Sequence, residues 1–132
     1  PGQRPDMAIH KFLKAALHKE KISIYGNGEQ RRDFTYIETL TDFLLGIIDN
    51  KKWGITLNVG GGKYITVNEA VSMISSIVGK KLDVQYIEKQ KGDMDETLAD
   101  IDRAAELFDY APSFNIEDGI ASQWEWIKSF YA

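Results

Sequence analysis

The chain has 132 residues, 43% of them hydrophobic and 11% aromatic, which fits one folded domain and excludes a disordered chain. Its 16 basic and 20 acidic residues leave a net charge of -4, without the basic footprint of a nucleic-acid binder. There is no cysteine, which excludes disulfides and thiolate metal centres and is compatible with a cytoplasmic setting.

The chain opens Pro1-Gly2-Gln3-Arg4-Pro5 with no methionine, and reads as the interior of a longer polypeptide. A first helix is predicted over Met7–Leu17, after a Pro5-Asp6 turn and N-cap pair, with Ile9, Phe12, Leu13 and Ala16 on one stripe. Its Lys11, Lys14, His18, Lys19 and Lys21 form the wet face, and His10 and His18 read as surface residues. Ile22–Tyr25 and Phe34–Ile37 read as strands, being β-branched or aromatic and flanked by turn residues. Leu40, Phe43, Leu44, Ile47 and Ile48 set the inward stripe of a helix over Glu38–Ile48. That run is far shorter than the roughly 20 residues that cross a bilayer, so no membrane association is expected.

A strand over Ile55–Val59 follows. Then comes a helix over Val67–Val78, with Thr66 and Glu69 as its capping box and Gly79 as its stop. Val84–Ile87 and Thr97–Ala99 read as further strands. Asp102–Phe108 is a short helix, and Ile116–Phe130 is the last, with Asn115 as N-cap and Ile120, Trp124, Ile127 and Tyr131 turned inward. Strands alternating with helices indicate an α/β architecture with some parallel pairing.

Neither histidine has the carboxylate pattern or the His-x-x-x-His spacing of a catalytic or metal site. Gly60-Gly61-Gly62 lies between a strand and a helix, where a phosphate loop would lie. Yet Lys63, Tyr64 and Ile65 follow directly and the GxGxxG spacing fails, so a tight connection is expected. Asn27 between Gly26 and Gly28 gives a sharp turn leading into Arg31-Arg32. Neighbouring side chains of an extended segment face opposite ways, so only one arginine can meet a given ligand. A guanidinium there could grip a diphosphate bidentately, or could simply pair with Asp33 or Glu29 at the surface.

The run Ile24-Tyr25-Gly26-Asn27-Gly28-Glu29-Gln30-Arg31-Arg32-Asp33-Phe34-Thr35-Tyr36-Ile37 resembles a segment of extended short-chain dehydrogenase/reductases that act on nucleotide sugars. Three further blocks agree in order and spacing: Arg4-Pro5-Asp6-Met7-Ala8; Leu57-Asn58-Val59-Gly60 with Thr66-Val67; and Lys91-Gly92-Asp93 with Glu96-Thr97-Leu98-Ala99-Asp100. The resemblance is strongest to the UDP-glucuronate and UDP-glucose 4-epimerases. It implies a small α/β C-terminal substrate-binding domain of about five helices and short strands, residues 1–132 being one piece of a longer enzyme. The Rossmann half with its glycine fingerprint, and the Tyr-x-x-x-Lys pair, would lie upstream. No tyrosine in this chain has lysine four residues on, so no catalytic residue is assigned here.

Carried over position by position, the resemblance implies that Arg32 holds the diphosphate of a UDP-sugar. Tyr25 would flank the uracil, with the Ser23–Tyr25 backbone bonding its edge. Asp93 would accept from ribose hydroxyls, and Asp6 and Met7 would face the diphosphate and base. Many relatives carry arginine where this chain has Gln90, which makes a charge-assisted contact neutral. NAD would be bound by the upstream half, whose tyrosine and cofactor would remove and return hydride at C4 of the sugar. The same anchor would serve a dehydratase, decarboxylase or reductase, and the alternative of another class is a free-standing, non-enzymatic binding module. A homodimer is expected, because segments after Arg32-Asp33-Phe34 pack on the Rossmann half in the family and the apolar helix Glu38–Ile48 would lack that cover.

Overall fold

The computed structural model describes Arg4 and residues 6–50, 52–113 and 115–131; Pro5 of the predicted first turn lies outside them. Among the described residues there are five helices and five short strands. In chain order these are α1 (Ala8–His18), β1 (Ile22–Tyr25), β2 (Arg31–Arg32), α2 (Ile37–Asn50), β3 (Ile65–Thr66), α3 (Val67–Val78), β4 (Val84–Ile87), β5 (Glu96–Thr97), α4 (Asp102–Phe108) and α5 (Ile116–Tyr131). β1 and β4 pair in parallel, Ile22 opposite Val84 and Tyr25 opposite Ile87. β2 is the middle strand of a second sheet, antiparallel to β3 and parallel to β5.

The main core lies where α1, α3 and α5 meet over β1. Each helix arrives with an apolar stripe at 3.6-residue spacing, and β1 contributes Ile22 and Ile24 from its inward face. Leu13, Ile24, Ile74 and Ile127 are wholly enclosed, and each such side chain contributes about 1.5–3 kcal/mol of transfer free energy. A smaller cluster joins α2 to α4 through Phe43, Ala104 and Tyr110, the rings of Phe43 and Tyr110 lying 4.5 Å apart.

The helix termini follow local chemistry. Thr66 Oγ1 accepts from the Glu69 amide at 3.0 Å while Glu69 Oε2 accepts from the Thr66 amide at 2.7 Å, closing the predicted capping box. Those bonds hold the Glu69 carboxyl below its ordinary range. Gly79 ends α3 in the left-handed conformation. Asn115 Oδ1 accepts from the Glu117 amide at 3.4 Å at the start of α5.

Several expectations are corrected. Met7, not Asp6, is the N-cap of α1, and its thioether makes no capping bond; the Asp6 carboxylate is instead taken by Arg4 at 2.5 Å. Phe34–Ile37 is not a strand: pairing stops at Asp33, and Ile37 already opens α2. Ile55–Val59 has no strand partner; Leu57 and Val59 instead pack on the second cluster. The last strand is Glu96–Thr97 rather than Thr97–Ala99. Leu44 and Ile48, expected on the inward stripe of α2, are exposed. His10 is 3% exposed, not a surface residue: it lies under α5 with Trp126 and Tyr131 at ring distances of 6.0 and 5.9 Å.

Candidate functional site

The site is built outward from β1. Its burial alternates, so Ile22 and Ile24 fill the core while Ser23 and Tyr25 face outward. The Ile22 amide donates to the Asp83 carbonyl and the Gly26 amide to the Ile87 carbonyl, each at 2.8 Å. In a parallel ladder alternate residues bond to the same neighbour, which turns the peptide groups of Ser23 and Tyr25 to the edge away from β4. The Tyr25 carbonyl accepts from Gln30 Nε2 at 2.8 Å, and Ser23 Oγ accepts from Gln85 Nε2 at 2.7 Å.

The turn from β1 to β2 is locked onto the start of α3. Asn27 Oδ1 accepts from the Glu29 amide at 3.1 Å, and Asn68 Nδ2 donates to the Asn27 carbonyl at 3.0 Å and to Glu29 Oε1 at 2.7 Å. Gly28 has φ +80°, and a Cβ there would stand 2.1 Å from Asn68 Oδ1, so both conformation and space require glycine.

Strand alternation then separates the two arginines. Arg31 lies in the open, 3.4 Å from Glu96 and 3.1 Å from the Tyr64 hydroxyl, with its guanidinium over the Tyr64 ring. Arg32 points the other way. Its Nη2 donates to Asp93 Oδ1 at 2.5 Å, its Nη1 to the Arg31 carbonyl at 2.8 Å, and the side chains of the ion pair are only 22% and 27% exposed. Asp93 is presented by a turn in which its amide donates to the Gln90 carbonyl at 3.2 Å and Gly92 takes φ +86°. Gln90 is exposed there.

Of the residues singled out from sequence, the structure therefore brings Arg32 and Asp93 into contact. Ser23 and Tyr25 share the outward side of β1 and its edge away from β4, one tight turn upstream, where Gln30 already holds the Tyr25 carbonyl. Asp6 and Met7 stand exposed at the start of α1, where the Arg4 hydrogen bond holds the Asp6 carboxyl below its ordinary range. A polar cavity of about 330 Å³ opens beside Tyr25, Asn27, Gln30, Arg31 and Lys89. Lys89 pairs with Asp95 across it and holds that carboxyl low.

Sequence reasoning missed Asp33 and Tyr110. The Asp33 carboxylate accepts from the Gly61 amide at 2.8 Å and, more weakly, from the Ala99 amide at 3.4 Å. The buried Tyr110 hydroxyl donates to the Gly60 carbonyl at 2.6 Å, and burial followed by the Asp33 charge raises its pKa. The readable signal was the glycine pair itself, since a Cβ on Gly60 or Gly61 would come within 2.4 or 2.8 Å of the Asp33 carboxylate. The glycine run is thus the tight connection expected, with a carboxylate where a phosphate would need to lie. Among the described residues there is no cluster of three metal-ligating side chains, and no helix long and apolar enough to cross a membrane.

Residues 1–60 match the model of the NAD dependent epimerase/dehydratase family. The chain is 35% identical over 132 residues to an uncharacterized UDP-glucose epimerase of Bacillus subtilis, covering 99% of this chain and 42% of that one. It is 35% identical to a UDP-glucuronate 4-epimerase of Thermodesulfobacterium geofontis, covering 97% of this chain and 40% of the relative. Among solved structures, UDP-glucuronic acid 4-epimerase from Bacillus cereus in complex with UDP-glucuronic acid and NAD matches with a TM-score of 0.91. The identity is 34%, over 99% of this chain and 42% of that one. UDP-glucose 4-epimerase from Thermotoga maritima with UDP-glucose matches at 25% identity and a TM-score of 0.89, over 100% of this chain and 43% of that one. The chain thus spans well under half the length of these relatives.

Proposed function

We propose that this chain, whose residues 1–60 match the NAD dependent epimerase/dehydratase family, grips the nucleotide end of a UDP-sugar for an NAD-dependent 4-epimerase. The observation that supports this reading is the half-buried Arg32, held by Asp93 in a backbone with a TM-score of 0.91 to a structure containing UDP-glucuronic acid and NAD. A guanidinium whose direction is fixed before binding loses little freedom on gripping a diphosphate, and its planar fork suits two phosphate oxygens. The Ser23 and Tyr25 peptide groups at the edge of β1 then offer a donor and acceptor line to the uracil edge, with the Tyr25 ring flanking the base. Asp93, once released from Arg32, accepts from ribose hydroxyls. Asp6 and Met7 approach from the start of α1, and Gln90 supplies a neutral amide.

In this reading the chain contributes position rather than chemistry: it fixes the nucleotide so that the sugar is presented to groups outside these residues. NAD supplies the oxidation and re-reduction of the sugar carbon. The described residues do not fit NAD, because the one glycine run between an extended segment and a helix is closed by the Asp33 carboxylate. The dinucleotide is therefore assigned to the remainder of a longer protein, of which residues 1–132 form the C-terminal nucleotide-sugar-binding domain. A cytoplasmic homodimer completes the proposal.

Calorimetric titration with UDP and with UDP-glucuronate tests it. Binding that is lost in Arg32→Ala supports the anchor; equal binding by both chains overturns it.

A further inference from the structure

We propose that Asp33 is a positioning residue for Arg32, acting through the Gly60–Gly61 peptide and Tyr110. The inference rests on the reading of Arg32 as the diphosphate anchor. Asp33 directly follows β2, and its amide continues the pairing of β2 with β5 by donating to the Thr97 carbonyl at 3.0 Å. The backbone is still extended there, so Arg32 and Asp33 must project to opposite sides. Whatever holds the backbone at Asp33 therefore also holds the direction in which Arg32 leaves the strand.

Asp33 is fixed unusually well. Its Oδ1 takes the Gly61 amide at 2.8 Å and its Oδ2 faces the Ala99 amide at 3.4 Å. Two consecutive glycines leave the room it occupies, since a Cβ at either would fall within 3 Å of the carboxylate. The loop it grips is held from the other side by the buried Tyr110 hydroxyl on the Gly60 carbonyl. Tyr110 is itself packed on Phe43 of α2. The carboxylate is thus inserted in a rigid socket on one side of the strand, and the guanidinium is driven toward Asp93 on the other.

An asparagine in that socket would keep the shape but turn an N–H group toward one of the two amides that Asp33 accepts from, so the socket would loosen without a cavity being made. The test reads Arg32 directly, without ligand, through 15N relaxation of its Nε–H group in the 132-residue chain. In Asp33→Asn, that group is expected to pass from rigid to mobile while backbone amide dispersion in α1, α3 and α5 stays native. Tyr110→Phe, which keeps the ring and loses only the hydroxyl, is expected to move Arg32 in the same direction by less. It also serves as the test if Asp33→Asn does not fold.

A double-mutant cycle on UDP affinity supplies the second readout. Asp33→Asn is expected to weaken UDP binding roughly tenfold and to add almost nothing once Arg32→Ala is present. An unchanged Arg32 mobility in both variants overturns the inference even if UDP binding depends on Arg32. A loosened Arg32 in a chain whose UDP binding ignores Arg32→Ala overturns the anchor reading and leaves the socket standing.

Discussion

Arg32 Nη2 stands 2.5 Å from Asp93 Oδ1, so the two charged side chains that the proposed function gives to the nucleotide neutralise each other. The pair is three-quarters buried, which keeps each charge from standing uncompensated in a partly desolvated place. It also makes Asp93 a rival for any anion that Arg32 is to hold. If Arg32 holds a diphosphate as proposed, the phosphate oxygens compete with the carboxylate for the guanidinium, and a displaced carboxylate can accept from a hydroxyl donor.

That exchange predicts opposite effects for two probes. Asp93→Asn should bind inorganic pyrophosphate more tightly than the parent chain, by roughly threefold to tenfold, because a charged competitor has been removed. The same variant should bind uridine more weakly, because a neutral amide accepts more weakly than a carboxylate. In an Arg32→Ala background the same substitution should give no pyrophosphate gain. Calorimetry on the parent chain, the two single variants and the double variant decides it: pyrophosphate affinity that is equal in the parent chain and Asp93→Asn would show that the pair does not compete with anions.

The turn that aims β2 depends on glycine at position 28. Gly28 has φ +80° and touches the Asn68 amide that bonds Asn27 and Glu29. Gly28→Ala adds left-handed strain of about 1–3 kcal/mol and displaces Asn68. Thermal denaturation should show a lowered midpoint, and the Asn68 side-chain amide signals should shift. An unchanged midpoint would mean that the turn relaxes freely and does not tie β1 to α3.

How much of this was legible beforehand differs by element. The stripes of α1 and α5, and the Thr66–Glu69 box and Gly79 stop of α3, are local signals, and all of them stand in the structure. Strands were harder, because a strand exists only through its partner. Ile55–Val59 has a strand's composition and the in-and-out burial of Leu57 and Val59, yet no strand among the described residues pairs with it. Arg31–Arg32 has little strand propensity, and Ile65–Thr66, though β-branched, is only two residues long; both are strands because Arg31 lies opposite Thr66 and Arg32 opposite Ile65. For the site, the turn and the arginine pair were visible, but the choice of Arg32 over Arg31 came from resemblance and not from the residues. Asp33 in its glycine socket joins positions 28 apart in the chain, a contact that no local pattern announces.

His10 shows the same limit and carries its own prediction. Lysines at 11 and 14 made it look solvated, but it lies three residues before Leu13 on the buried stripe, beneath α5. Among the described residues its Nδ1 has no hydrogen-bond partner; its Nε2 is 3.4 Å from the Tyr131 hydroxyl, and Lys14 lies over the Tyr131 ring. Burial, and then the Lys14 charge, lower its pKa from the ordinary value. The unfolded chain therefore takes up a proton at higher pH than the folded one. The contribution is fully present above about pH 6.5 and is lost as pH falls below that value toward the depressed folded pKa, at about 1.4 kcal/mol per unit of depression. Chemical denaturation at pH 7.5 and pH 5.5 should show the parent chain losing more stability than His10→Phe. Equal losses would remove His10 from the acid response.

The face of α2 that points outward carries Ile37, Leu44, Leu45 and Ile48, which are 60%, 50%, 64% and 58% exposed. Phe43 alone of its large apolar residues is buried, on the second cluster with Tyr110. A run of large aliphatic side chains left open to water is a surface that another surface should cover, and in a solution of this chain the available cover is a second copy. The chain should therefore self-associate as its concentration rises, and Leu45→Lys should shift it to monomer by placing a charge at the centre of the patch without touching Phe43 or the core. Sedimentation equilibrium of both chains at several concentrations measures this. A parent chain that stays monomeric throughout would show that the polar residues beside the patch suffice to keep it apart, and the homodimer would then have to be built by other parts of a longer protein.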